Sequence, residues 1–215
     1  MAGGTTVGIR IPDHAGARAL IQAAGCPIAA PSANRSEAIS PTAARHVAAS
    51  LGEWVDDLLI LDGGECGVGI ESTVVDATGE SAVILRPGDI AHADISAVVQ
   101  VGDLPSHSAG PVRSPGQAVR HYAPKCPVEI HTHQEQSDCQ LSTDVNVWLL
   151  WIGENPPHHS RVIDLGADPK SVAMALYAAL HQADDAGAAR IVVSGLPAGP
   201  EWVAVTDRLR RASAV

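Results

Sequence analysis

The stretch DPKSVAMALYAALHQADDAGAARIVVSG, residues 168–195, decides the fold class. Its first part is a strongly amphipathic helical pattern, with Asp168 or Ser171 placed to cap the start and Gly187 placed to end it. Its second part, ARIVVSG, is a short apolar run rich in β-branched residues and reads as a buried strand. Upstream, CPVEIHT (126–132) and DVNVWLLWIG (144–153) read as further strands, and AVTDRLRRASA (204–214) as a closing helix. Strands alternating with helices predict a small Rossmann-like, three-layer unit around a parallel sheet, over residues 125–215.

The first half is mixed α/β rather than a regular alternation. TTVGIRI (5–11), CPIAA (26–30), LLILDGG (58–64), the run from Ser72 to Asp76, and AVILRPG (82–88) all carry strand patterns. AGARALIQAAG (15–25) reads as a helix, capped by Asp13 and stopped by Gly25. Ser40-Pro41 signals a second helix start, with the serine as cap and the proline at the first helical position. Residues 105–124 are dense in Pro, Ser, Gly and His, which predicts a linker between a first unit (1–104) and the second.

Bulk composition narrows the function. The 215 residues are 46% hydrophobic with a net charge of -10, so the chain is globular and has no general attraction to nucleic acid or anionic membrane. Aromatics are 3% and Phe is absent, which argues against base-stacking platforms. The four cysteines (26, 66, 126, 139) form no C-x-x-C pair, so reduced thiols and a cytoplasmic location are expected. No apolar run reaches 18 residues.

Several segments carry candidate chemistry. In APSANRSEAISPT (30–42), Ser32 and Asn34 put a hydroxyl and an amide just past a predicted strand end, where α/β sheets bind ligands. An Asx or Ser turn feeding a helix cap explains the same residues. GVGIEST (67–73) is not a dinucleotide fingerprint, because Ser72 stands at the third glycine and a β-branched run follows. It reads as a loop whose glycines let a ligand approach the backbone, or as a hairpin bulge. Arg10 alternates with Ile9 and Ile11, and Arg86 ends a strand; either fork suits a phosphate or carboxylate, and either serves equally as a solvated edge residue. The pairs His131/His133 and His158/His159 lack the acidic or thiol partners of a metal set, and His14 and His46 have no evident partner. SPGQAVRHYAP (114–124) offers Tyr122 on a tethered segment that could close over a ligand. No nucleophile–base pair and no Walker loop is present.

Taken in order, VGIRIPDH, APSANRSEAISPT, ILDGG, GVGIESTVVD, ILRPG and SPGQAVRHYAP resemble the YrdC-like family in its two-domain form. The likeness is dense over residues 5–124 and looser to the end. It implies a partial YrdC-like twisted mixed sheet followed by the small Rossmann-like unit. It implies threonylcarbamoyl-AMP synthesis: L-threonine, bicarbonate and ATP, with its Mg2+, give threonylcarbamoyl-adenylate and pyrophosphate. Other tRNA-modification proteins then carry the group to adenosine 37; direct tRNA binding by this chain is not expected. By match, Thr6, Ser32, Asn34, Ser40, Arg86 and Tyr122 would contact ATP or the adenylate. Arg10, the backbone of Ala30, and Ser72 would hold threonine.

The sequence departs from the family in three ways. Nothing matches its Thr-rich TVYGL-type stretch or its Lys-x-Arg motif, and no lysine precedes Lys125. Losing one charge-assisted contact in such a site costs roughly 2–4 kcal/mol, and losing several should abolish turnover. Glu37 stands where the family usually has glycine, and the 117–119 segment differs from the usual linker. Two expectations follow: an enzyme represented by part of its catalytic domain, or a catalytically inactive remnant that binds a nucleotide or partner.

Overall fold

The computed structural model describes residues 6–102, 121–132, 146–158 and 160–214. The predicted linker therefore lies outside the described residues except for 121–124, and His133, His159 and Cys139 fall outside it as well.

The second unit forms the three strands and two helices its pattern predicts, and adds a short strand at Val162–Asp164 that the pattern did not mark. Strands β3 (Val128–Thr132), β4 (Val147–Trp151), β5 (Val162–Asp164) and β6 (Arg190–Leu196) make an all-parallel sheet in the order β3-β6-β4-β5. Helix α4 (Pro169–Asp185) starts where its sequence says: the Asp168 carboxylate accepts from the Ser171 N–H at 2.9 Å, and Pro169 opens the first turn. Helix α5 (Val203–Ala212) closes the chain after a 3-10 turn at Pro200–Trp202.

The layering differs from expectation. Leu150, Ile152, Ile191 and Val193 face one side and share a core with Val172, Leu176 and Leu180 of α4 and with Val205 and Leu209 of α5. Alternation turns Val147, Leu149 and Val192 to the opposite face, where they form a separate small cluster with Trp151 and Val162. Both helices thus cover one face, and among the described residues the unit has two layers, not three.

The first unit is less regular than its sequence suggests. Helix α1 (Ala15–Ala24) ends at Gly25 in the left-handed region as predicted, but His14 rather than Asp13 caps it, its Nδ1 accepting from the Ala17 N–H. Helix α2 (Ala44–Leu51) starts after Ala43, not at Ser40-Pro41, because the Ser40 hydroxyl is engaged elsewhere. Strands β1 (Val74–Asp76) and β2 (Val83–Arg86) form an antiparallel pair, and a short helix α3 (His92–Ser96) follows. The predicted strands at 6–11, 26–30 and 58–64 are not strands in the structure, so the first sheet is two-stranded and antiparallel rather than a twisted mixed sheet. Ile9 and Ile11 are both 86% exposed, as is Leu59 at 81%. A strand exists only when its N–H and C=O groups are paired, and alternation alone does not supply the partner.

The principal core belongs to the second unit. Ile39, Ile70 and Tyr122 from the 37–40, 67–73 and 121–124 segments insert into it, so these segments are held by the parallel-sheet unit.

Candidate functional site

The two units meet at Glu71. Its neighbour Ile70 is buried in the shared core, and its own carboxylate collects three donors from three distant parts of the chain. Ser40 Oγ donates to Oε1 at 2.6 Å; Tyr177 Oη and Arg208 Nε donate to Oε2 at 3.0 and 2.8 Å. Arg208 has no solvent exposure, and each of its nitrogens is occupied. Nη1 donates to Asp207 at 2.8 Å, and Nη2 donates to the carbonyls of Glu71 at 3.3 Å and Pro87 at 2.9 Å. A buried guanidinium is tolerated only when paired and hydrogen-bonded, and this one is paired and makes four hydrogen bonds from its five N–H groups.

Electrostatics follow from that packing. Burial opposes ionisation of Glu71, but the hydrogen bonds from Ser40 and Arg208 outweigh it and hold its carboxyl below the ordinary 4.5. Burial likewise disfavours the Arg208 charge, and the hydrogen bond to Glu71 reverses the balance and raises its pKa. Burial, then the neighbouring Glu71 charge, pushes the Tyr177 phenol far up, so it acts only as a donor.

Two glycines make the approach possible. Gly69 lies at φ +81°, and a Cβ there would sit 2.4 Å from Ala173 O and from Met174 Cα and O. The loop was expected to admit a ligand to its backbone; at Gly69 the backbone of α4 takes that place. A Cβ on Gly88 would sit 2.3 Å from Thr73 N and 2.5 Å from Ser72 C, so the end of β2 lies directly against the 71–73 backbone.

Arg86 and Tyr122 stand beside this junction. The Arg86 fork donates through Nε and Nη2 to the Ser72 carbonyl at 3.2 and 3.0 Å. Tyr122 is 2% exposed, with its ring 5.5 Å from that of Tyr177 and 5.7 Å from Arg208 Cζ. Burial and then the Glu71 charge raise its pKa, with the Arg208 and Arg86 guanidiniums acting in opposition. Its hydroxyl is buried without a protein partner in hydrogen-bonding geometry, although Arg86 is close enough to be felt. The segment is tied on both sides: His121 N–H donates to Arg211 O, and Ala123 N–H donates to Glu37 O at 2.9 Å. Glu37 itself has φ +67°, the region that favours glycine.

A second contact lies at the other end of Ser40. The buried His46 ring stacks on His181 with centroids 3.8 Å apart, His181 Nε2 lies 3.1 Å from the Ser40 carbonyl, and His46 Nδ1 accepts from the Thr42 N–H. Burial, then His181 and Arg45, lower the His46 pKa from 6.5 to about 4, with Asp185 and Glu65 opposing. Burial lowers that of His181 too.

Of the nine residues singled out in the sequence, the structure brings Ser40, Ser72, Arg86 and Tyr122 into one neighbourhood around Glu71. Thr6, Arg10, Ala30 and Ser32 are exposed and take no part in these contacts. Asn34 braces its own turn, donating to the carbonyls of Arg35 and Ala38 at 3.1 and 2.9 Å. A depression of about 170 Å³ lined by Thr42, Ala43, Val47, Leu61, Asp62 and Cys66, among others, includes none of the nine. Sequence reasoning missed Glu71, Tyr177, His181 and Arg208. One signal was available: Arg208 falls between Val205, Leu209 and Ala212 on the buried stripe of α5, where an unpaired cation could not sit. Among the described residues, no group of three or more His, Cys, Asp or Glu side chains is placed to hold a metal ion, and no helix is long and apolar enough to cross a membrane.

The fold and the junction define an α/β protein in which a parallel-sheet unit grips loops of a less regular first unit. The family described as "Telomere recombination" (Sua5, yciO, yrdC) matches residues 1–88, and the threonylcarbamoyl-AMP synthase C-terminal domain matches residues 90–214. The threonylcarbamoyl-AMP synthase of Schizosaccharomyces pombe is 33% identical over 243 residues, covering 100% of this chain and 59% of the relative. That of Bacillus subtilis is 36% identical, covering 99% of this chain and 64% of the relative. The crystal structure of Pyrococcus abyssi Sua5 complexed with L-threonine superposes with a TM-score of 0.80 at 33% identity, over 95% of this chain and 63% of that one. The chain belongs to the threonylcarbamoyl-AMP synthase family, and it spans about three fifths of the length of these relatives.

Proposed function

We propose that this chain serves threonylcarbamoyl-AMP synthesis, the adenylation of threonine-derived carbamate by ATP with release of pyrophosphate. The observation that carries the reading is the convergence of Ser40, Ser72, Arg86 and Tyr122 on one junction from four separate segments. The reaction needs a carbamate aligned with the α-phosphate and charge stabilisation as pyrophosphate leaves, and it needs no protein nucleophile. Arg86, with its planar fork, is the group for nucleotide oxygens. Tyr122, whose buried hydroxyl lies close to Arg86, is assigned to the adenylate side of the same junction. Ser40, Ser32, Asn34 and Thr6 are assigned to the nucleotide, and Arg10, Ala30 and Ser72 to threonine. Mg2+ arrives with ATP and shares the phosphate charge. The units divide at 105–124, the adenylate passes to tRNA-modification proteins, and the setting is the cytoplasm.

One observation favours a second reading, a nucleotide- or partner-binding module without turnover. Val7, Ile9, Ile11, Trp54, Leu59 and Leu61 of the first unit are all at least 66% exposed, an apolar surface suited to a partner. Pyrophosphate release that depends on threonine and bicarbonate separates the two. We expect little or none from the 215 residues alone, and turnover when the chain is extended to the relatives' full length. No turnover from the extended chain would refute the enzyme reading.

A further inference from the structure

We propose that Arg208 is a positioning residue for Ser72 and Arg86, and that through it the parallel-sheet unit sets the geometry of the site in the first unit. The proposal rests on the reading of Ser72 and Arg86 as substrate-facing groups. Arg208 cannot touch a ligand itself, since it is fully buried and all its nitrogens are on protein acceptors. Its Nη2 instead bridges Glu71 O and Pro87 O, the residue before Ser72 and the residue after Arg86. Its Nε fixes the Glu71 side chain in the same grip.

Two further contacts make this a three-point tie between the 71–73 and 86–88 segments. Gly88 allows backbone to lie on backbone at Ser72 and Thr73, and the Arg86 fork closes on the Ser72 carbonyl. Arg208 is the only one of the three points supplied by the second unit. It is carried on a helix anchored by Val205 and Leu209, both at most 1% exposed, so its guanidinium has little freedom to follow a shifting loop. A fork is required: one planar group serves two carbonyls and a carboxylate from fixed directions, which a lysine ammonium at the end of a flexible stem does not reproduce.

The test uses the 215-residue chain with Arg208→Lys and Arg208→Met, read by amide hydrogen exchange over residues 71–76, 84–89 and, as an internal control, 190–196. Arg208→Lys should speed exchange in the first two windows at least tenfold more than in the third, with Arg208→Met at least as selective. Unchanged exchange in the first two windows overturns the tie, and equal loss in all three reduces Arg208 to a general stability residue. Equilibrium dialysis with Mg-ATP and with L-threonine supplies the second arm. Arg208→Lys should weaken binding at least tenfold, and parent-like affinity beside loosened loops overturns the positioning role. A parent chain that binds neither ligand sinks the substrate-facing reading of Ser72 and Arg86, while the exchange result still decides the tie.

Discussion

Replacing Glu71 with alanine removes one acceptor from three donors at once: Ser40 Oγ, Tyr177 Oη and Arg208 Nε. The dominant loss is at Arg208, which has no exposed surface to hydrate its charge. Removing one partner of a buried ion pair costs about 3–5 kcal/mol. Asp207 stays bonded to Nη1 and the Glu71 and Pro87 carbonyls stay on Nη2, which places this pair toward the low end. The orphaned hydroxyls of Ser40 and Tyr177 add roughly 1 kcal/mol each. The Glu71 side chain is 19% exposed, so water entering the vacated space repays part of that. The net expectation is a loss of about 3–5 kcal/mol, a fall in Tm of roughly 6–20 °C for a chain of this size. The double variant Glu71→Met with Arg208→Met removes both charges and should cost less than the sum of the single methionine variants by at least ~2 kcal/mol. Urea unfolding followed by circular dichroism and by the fluorescence of the four tryptophans gives both quantities. A loss below about 1 kcal/mol for Glu71→Ala, or strict additivity in the cycle, would refute the junction as a coupled unit.

The remaining predictions address the same junction from other sides. Gly69→Ala should lose about 2–5 kcal/mol, from the left-handed φ together with a Cβ driven into the α4 backbone, where no side chain can yield; a stability within error of the parent would show that α4 does not press on this loop. Glu37→Gly should gain about 0.5–1 kcal/mol because φ +67° is strained for glutamate, and a loss in urea midpoint would count against that strain. His46 has a folded pKa of about 4 against an ordinary 6.5, so the unfolded chain binds its proton first. Its contribution is complete above pH 6.5 and disappears as pH falls toward 4. His46→Gln should therefore flatten the drop in urea midpoint between those values, and an unaltered drop would show that the stacked pair does not govern it. Glu71, whose carboxyl is held below 4.5, adds stability that is present above that pH and lost below it; Glu71→Gln should remove this acid-side dependence from the unfolding profile.

What the sequence by itself determined is local. The Asp168 cap, the Gly25 stop, the amphipathic period of α4, the apolar run of β4 and the β-branched run of β6 each act within a few residues, so each was legible from its own neighbours. Alternation in GIRI and the apolar runs CPIAA and LLIL carried a strand signal too, yet no strand forms there, because a strand is a property of two segments and a pattern describes only one. The grouping of Ser40, Ser72, Arg86 and Tyr122 was reached through family resemblance, and no spacing in the chain foretold it. Only the tertiary structure decided Glu71 and its partners. Arg208 lies 137 positions from Glu71, Tyr177 lies 106 away and Ser40 lies 31 away. Three donors so distant in sequence meet one carboxylate because Ile39, Ile70 and Tyr122 bury themselves in the core beneath α4 and α5. That burial leaves the charges beside them no water to turn to except at the margin, and so obliges them to find one another.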